Sequence, residues 1–242
     1  MSQMELFDFM RNDEHPPDLY PRPEEVSGLN ALLENLEEIS PNACDDAVYA
    51  LLSEFPLEVE VIRFAQNILD AAEAAGTETE AGRKAAERTR SDRLNPDTEK
   101  VQAAAWKVGR EFDLMRGLLR FSAAPGGQMY VARCAPDHFV LPLLADHFLA
   151  RFGETPWAII DEKRDMSLIR ERGKQPVLRR SAMYSAQCGE DSGDWERLWQ
   201  TYHKAINNEA RTNPGLQKQF MPKRYWKYLP ELADRQGGAV KC

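Results

Sequence analysis

The sequence predicts an α+β protein. A helical N-terminal region is followed by a module with a small antiparallel sheet, in the order α-β-β-α-β-β, and by C-terminal helices. Three observations predict it. Apolar residues recur at helical spacing between residues 29 and 72, and again from 101 to 115. From Leu118 the texture changes to short apolar runs punctuated by Gly and Pro. One short helical stretch then separates two pairs of such runs, an ordering expected of a sheet built from hairpins.

Each element follows from its own residues. Residues 1–27 are rich in Pro and acids and show no sustained periodicity, so they read as a mobile acidic arm carrying the Met4–Met10 apolar patch. Residues 28–92 read as the helical region. Leu29, Leu32, Leu33, Leu36 and Ile39 share one helix face, and Ser40-Pro41 closes that helix. A second helix spans about Asp45 to Phe55. A third places Leu57, Val61, Phe64, Ala65, Ile68, Leu69 and Ala72 on one face, with Gly76 as its stop. The polar stretch 77–97 is either an exposed helix or the linker into the second half, and a boundary is placed at 92/93.

Residues 93–235 form the α+β module and 236–242 a tail. A helix opens at Asp97 or Thr98 and buries Val101, Ala104, Ala105, Val108, Phe112 and Met115. LLRFSAAPGGQMYVARCA reads as two strands about a turn at Pro125-Gly126-Gly127. LPLLADHFLARF is a short helix with Pro142 at its start and Gly153 past its end. WAIID is a buried strand that pairs with MSLIRE across the polar turn EKRD, and helices follow from about Asp194.

Composition narrows the class of function. The chain has 242 residues, 43% hydrophobic and 29% charged, with a net charge of −8. No apolar run is of membrane-spanning length and the N-terminus lacks a secretory pattern, so a cytoplasmic protein with no membrane contact is expected. Cys44, Cys134, Cys188 and Cys242 are far apart with no CxxC pair, which argues for reduced thiols and against a zinc knuckle or a cysteine-held cluster. His15, His138, His147 and His203 are scattered, so neither a metal site nor a cofactor is expected. GxxxxGK[ST], GxGxxG after a strand, and GxSxG are all absent, which disfavours the common nucleotide hydrolases, Rossmann dehydrogenases and serine hydrolases. Charge is unevenly spread: residues 1–62 hold fifteen acids and two arginines, and the rest is mildly basic.

The densest candidate site is NPGLQKQFMPKRYWKYLPE, residues 213–231. Phe220, Tyr225, Trp226 and Tyr228 are interleaved with Lys218, Lys223, Arg224 and Lys227, and no acid falls between Glu209 and Glu231. Cations displace counterions from a phosphate backbone and rings stack on bases, so the pattern suits nucleic acid. The plainer reading is a helix with an aromatic core face and a solvated cationic one. His147 and Arg151 lie four apart on one helix and can reach one anion, or His147 packs inward while Arg151 pairs locally. Asp161 ends a buried strand, either as a general base or as a turn-forming residue. Arg116, Arg120 and Arg133, with seven basic residues in 163–180, extend a basic surface if hairpin, turn and last helix converge. Trp157, Trp195 and Trp199 read as core.

Five blocks add a resemblance. LLRF, YVARCAPDHFVLPLLADHFLARF, WAIIDEKR, LWQTYHKAI and RTNPGLQKQFMPKRYWKYLPE are similar, in order and spacing, to a bacterial family connected with DNA repair or DNA metabolism. The module also resembles the uncharacterised domain fused to some uracil-DNA glycosylase-like proteins. The resemblance implies DNA as a partner, together with a radical-SAM protein bearing a helix–hairpin–helix tail and encoded beside the family member. It implies no catalytic residues. It picks out His147 and Arg151, Asp161 and Arg164, and Arg211, Asn213, Gln217, Pro222, Arg224, Tyr225 and Trp226. The chain departs from the family where SGLNALLENLEE replaces an aromatic-Asp-Gly strand opening.

The expected function is therefore DNA binding, or accessory work beside the radical-SAM partner. Arg120, Arg151, Arg164, Arg211, Gln217, Lys223, Arg224, Tyr225 and Trp226 are the nucleic-acid candidates. Two alternatives stand: a glycosylase- or nuclease-like enzyme using Asp161 with His147, and an adaptor without DNA contact.

Overall fold

A computed structural model describes residues 23–124, 127, 129–180, 201, 215 and 220–230, with side chains from residue 28 onward. The elements are α1 (Pro23–Ile39), α2 (Pro41–Leu51), α3 (Glu58–Ala75), α4 (Glu80–Arg90), α5 (Pro96–Leu118), β1 (Ser122–Ala123), β2 (Tyr130–Cys134), α6 (Leu144–Phe152), β3 (Trp157–Asp161), β4 (Met166–Arg170), β5 (Val177–Arg180) and a 3₁₀ helix, Lys223–Tyr228. The protein is α+β, and the chain forms two compact units. One is Met1–Glu111 with Asp137–Val140; the other is Phe112–Pro136 with Leu141–Cys242.

Among the described residues, the regular elements of the first unit are all helices. Leu29, Leu33 and Leu36 of α1, Val48 of α2, and Val61, Phe64 and Ile68 of α3 are buried together with Val101 and Val108 of α5. Pro41 opens α2 at its first turn, so the Ser40-Pro41 pair both ends one helix and starts the next. Cys44 is a free, buried thiol of this core; burial, with Glu37 and Asp45 nearby, pushes its pKa up to about 12. The polar stretch after Gly76 is a helix, α4. Thr79 caps it, its Oγ1 accepting from the Gly82 N–H at 3.1 Å. Gly76 takes φ 94°, and α4 returns so closely that a Cβ on Gly82 would lie 2.3 Å from the Gly76 carbonyl oxygen. Asn95 caps α5, accepting from the N–H of Asp97 at 2.9 Å. Residues 137–140 also belong here. The buried Glu111 carboxylate accepts from the N–H groups of Asp137 and His138 at 2.8 and 2.6 Å, and His138 Nδ1 accepts from the Glu54 N–H at 3.2 Å.

The second unit is built on a five-stranded sheet of order β1-β2-β3-β4-β5. It is mixed, not purely antiparallel. β2 and β3 run parallel, with Tyr130 opposite Trp157 and Cys134 opposite Asp161, because the chain returns through α6 instead of turning directly back. The pairs β1–β2, β3–β4 and β4–β5 are antiparallel. LLRF is not a strand: α5 runs to Leu118, and β1 is only Ser122–Ala123. β5 is an added strand whose sequence, VLRR after Pro176, has too short an apolar run to predict one.

Side chains alternate across a strand, which sorts the unit into two faces. On one, α6 lays Phe148 against Trp157, ring centroids 6.1 Å apart, with Phe121 and Phe152 beside them. On the other, Arg133 and Ile160 face the segment that holds the 3₁₀ helix. β3 and β4 are buried along their whole length, consistent with cover on both sides.

Candidate nucleic-acid interface

Within the basic–aromatic run, Lys223–Tyr228 is a 3₁₀ helix, and that sets which of its side chains face solvent. With three residues per turn, positions i and i+3 line up. Tyr225 and Tyr228 thus form an inward row, Arg224 and Lys227 an outward one, and Lys223 and Trp226 a third. Tyr225 is 2% exposed and belongs to the core. Its ring is closed to a base, which corrects the expectation that it stacks. Trp226 is half-buried and donates from Nε1 to the Met221 carbonyl at 2.7 Å. Lys223, Arg224 and Lys227 are exposed. Arg224 lies over the Tyr225 ring at 4.7 Å and donates to its hydroxyl at 2.6 Å. The exposed ring of the run is Phe220, at 58%.

One carboxylate ties the polar side of the helix to the sheet, beside the buried Tyr225. Glu162 follows the last residue of β3. Its Oε2 accepts from the Tyr228 hydroxyl at 2.7 Å and from Lys227 Nζ at 3.2 Å, and its Oε1 accepts from Arg133 Nη1 at 3.4 Å. Partial burial raises the Glu162 pKa, but the bonds from Tyr228 and Lys227 and the charges of Lys227 and Arg133 outweigh it, and the net shift is downward. Burial and the same carboxylate push the Tyr228 phenol well above the ordinary tyrosine range, so it stays protonated and donates. Sequence reasoning overlooked Glu162. The signal was strand alternation: the residue after Asp161 must point to the opposite face, toward Arg133.

Asp161 points the other way and is fully buried. Its Oδ1 accepts from the Lys163 N–H at 2.9 Å, and its Oδ2 pairs with Arg164 at 2.9 Å. Arg164 also reaches the Pro136 carbonyl at 3.1 Å. Burial raises the carboxyl's pKa, the charge and hydrogen bonds of Arg164 pull it back, and the net shift is upward. His147 lies on α6 against Phe148, rings edge to face at 4.8 Å. Burial, then the charges of Arg116 and Arg151, lower its pKa. No hydrogen bond or ion pair joins His147 to Asp161; the first is grouped with arginines, the second is tied to its own turn.

Residues 71–231 match the family described as a domain of unknown function (DUF4130). The chain belongs to this family. Comparison with curated proteins and with solved structures gives no match. The span shared with the DUF4130 family runs from within α3 through the 3₁₀ helix and takes in every candidate site residue named above.

The remaining candidates do not gather at one place. Arg151 is exposed on α6, 5.9 Å from the Phe152 ring. Arg116 lies 5.3 Å from the Phe112 ring and pairs with Asp113. Arg120 folds back onto the end of α5, donating to the Gly117 carbonyl at 2.8 Å. Arg133, Lys227 and Tyr228 meet on the opposite face. Arg211 and Gln217, like Trp195 and Trp199, lie outside the described residues. Among the described residues no group of three or more His, Cys, Asp or Glu side chains is placed to hold a metal ion, and no helix is long and apolar enough to cross a membrane.

Proposed function

We propose that this chain is a cytoplasmic DNA-metabolism protein that binds DNA through its second unit and serves as accessory to a radical-SAM helix–hairpin–helix protein. The observation that carries the DNA reading is the presentation of Phe220, Lys223, Arg224 and Lys227 to solvent on one acid-free segment. Cations there neutralise phosphates and a free ring offers a stacking face. The unit's sequence supports the reading, with twenty Lys and Arg against fourteen Asp and Glu. The radical-SAM partnership, and kinship with the domain fused to uracil-DNA glycosylase-like proteins, rest on the five-block resemblance alone.

The test is binding of fluorescent single-stranded and duplex DNA by the full chain at two salt concentrations. The expected result is salt-sensitive binding that weakens about tenfold or more in Lys223→Ala/Arg224→Ala. An Arg116→Ala/Arg151→Ala variant asks whether the α6 face takes part. Absent or salt-insensitive binding by the folded wild type overturns the proposal.

One observation favours the adaptor reading. In the first unit Trp106 is 63% exposed and Phe55 52% exposed, with Arg110 5.3 Å from the indole and Lys107 5.8 Å from the phenyl ring. Exposed Trp and Arg side by side are the residues that anchor protein interfaces.

A further inference from the structure

The Glu162 carboxylate sits where an incoming oxyanion would. Three donors from two elements converge on it: Arg133 of β2, and Lys227 and Tyr228 of the 3₁₀ helix. All three favour an anionic, multi-oxygen acceptor, and a phosphodiester presents such oxygens as readily as a carboxylate does. The cluster is also open. Side-chain exposure is 36% for Glu162, 39% for Arg133 and 50% for Lys227, so a ligand can reach the donors without unfolding the segment. Exposed Lys223 and Arg224 flank it on the same helix. The 3₁₀ helix also rests against β2 and buries Tyr225, so its seat on the sheet does not depend on Glu162 alone.

We propose that Arg133, Lys227 and Tyr228 form a phosphate site in which Glu162 is the resident counter-ion, displaced when a nucleic-acid phosphate docks. This deepens the DNA-binding reading and rests on it. Glu162 then has two roles. In the free protein it fastens the 3₁₀ helix to the sheet, and toward DNA it competes with the backbone, so it sets affinity and salt sensitivity. Exchange of one anion for another keeps both cations satisfied in either state, and the displaced Glu162 carboxylate, already 36% exposed, is taken up by water.

The test is Glu162→Gln in the full chain. The amide oxygen still accepts from Tyr228, so the segment keeps its anchor while the resident charge is removed. Asp165→Asn is the control: it lies in the same turn, is exposed, and changes net charge by the same amount. Its backbone is in the left-handed region at φ 53°, which Asn tolerates. At about 50 mM salt, Glu162→Gln is expected to bind a fluorescent single-stranded oligonucleotide about three- to tenfold tighter than wild type, and log affinity against log salt steepens by about one. Asp165→Asn changes little. Adding Arg133→Ala and Lys227→Ala to Glu162→Gln cancels the gain. The proposal is overturned by equal tightening in both single variants, which reports net charge alone. It is overturned equally by unchanged or weaker binding of a Glu162→Gln protein whose Tm shows it folded. If the wild type binds in a salt-sensitive manner and Glu162→Gln gains nothing, only this inference falls; if neither binds, the DNA reading falls with it.

Discussion

At the scale of single residues, adjacent carboxylates at the end of β3 have opposite environments because a strand alternates its side chains. Glu162 is half in water with two cations and a phenol around it. Asp161 is sealed beneath the turn, with Arg164 as its charge partner and two backbone N–H groups on its oxygen. Burying one member of an ion pair after removing the other costs roughly 3–5 kcal/mol, far more than a surface pair contributes. Arg164→Ala should therefore destabilise the protein by roughly 3 kcal/mol at neutral pH. The sign of its pH dependence follows from the upward shift of Asp161. With the arginine gone, the folded state holds the carboxyl proton more tightly than the unfolded state, where the ordinary value of 3.8 applies. Stability is then lost as pH rises through that interval, so the deficit is largest at neutral pH and shrinks on acidification. Urea unfolding of wild type and variant at several pH values checks it; a deficit that grows in acid would show that Arg164 does something other than compensate Asp161. The sequence reading left Asp161 open between general base and turn anchor, and chain neighbours alone could not decide it, since the Arg164 and Pro136 contacts require the folded turn.

At the scale of elements, legibility followed periodicity. The stripe of α3 and the apolar face of α5 are long enough to declare a 3.6-residue repeat, and both helices appear where the stripes lie. Among the short elements WAIID and MSLIR were legible as a strand pair and LADHFLARF as a helix, but others were not. VLRR has two apolar residues, and whether two hairpins stand apart or join through a parallel pair is set by β2–β3 contacts that no local pattern encodes. KRYWKY misled in detail because its rows depend on three residues per turn rather than 3.6, which sends Tyr225 inward. α4 is the instructive case: its only buried residues are Gly82 and Ala86, so it has almost no stripe, yet the Thr79 cap and the Gly76–Gly82 approach define it. That approach yields a prediction. In Gly82→Ala the new methyl meets a backbone carbonyl that no side-chain rotation can move aside, so the loss from overpacking should exceed the roughly 1 kcal/mol that Ala gains over Gly in helix propensity. A lower Tm is expected despite the better helix former, and a raised Tm would mean that the α3–α4 turn yields easily.

At the scale of the whole molecule, charge follows the division into units. Met1–Glu111 with Asp137–Val140 carries eleven Lys and Arg against twenty-five Asp and Glu, the reverse of the second unit's balance. Such a field repels a polyanion from one unit and attracts it to the other, so under the proposed DNA reading the second unit is the one to carry DNA and the first is left for protein contact. The acidic front was visible in sequence; the exposed Trp106–Arg110 and Phe55–Lys107 pairs were not, because Trp106 sits beside buried Ala104, Ala105 and Val108 and only the helix phase turns it outward. If the two readings describe two surfaces, they separate by mutation. Trp106→Ala/Arg110→Glu should reduce capture of the radical-SAM helix–hairpin–helix protein about tenfold or more while DNA affinity stays within about twofold. Lys223→Ala/Arg224→Ala should do the reverse. Pull-down and DNA titration on the same two full-length variants check both. Loss of DNA binding in the first variant, with the fold intact by circular dichroism, would place DNA on the acidic unit and undo the assignment of one partner to each.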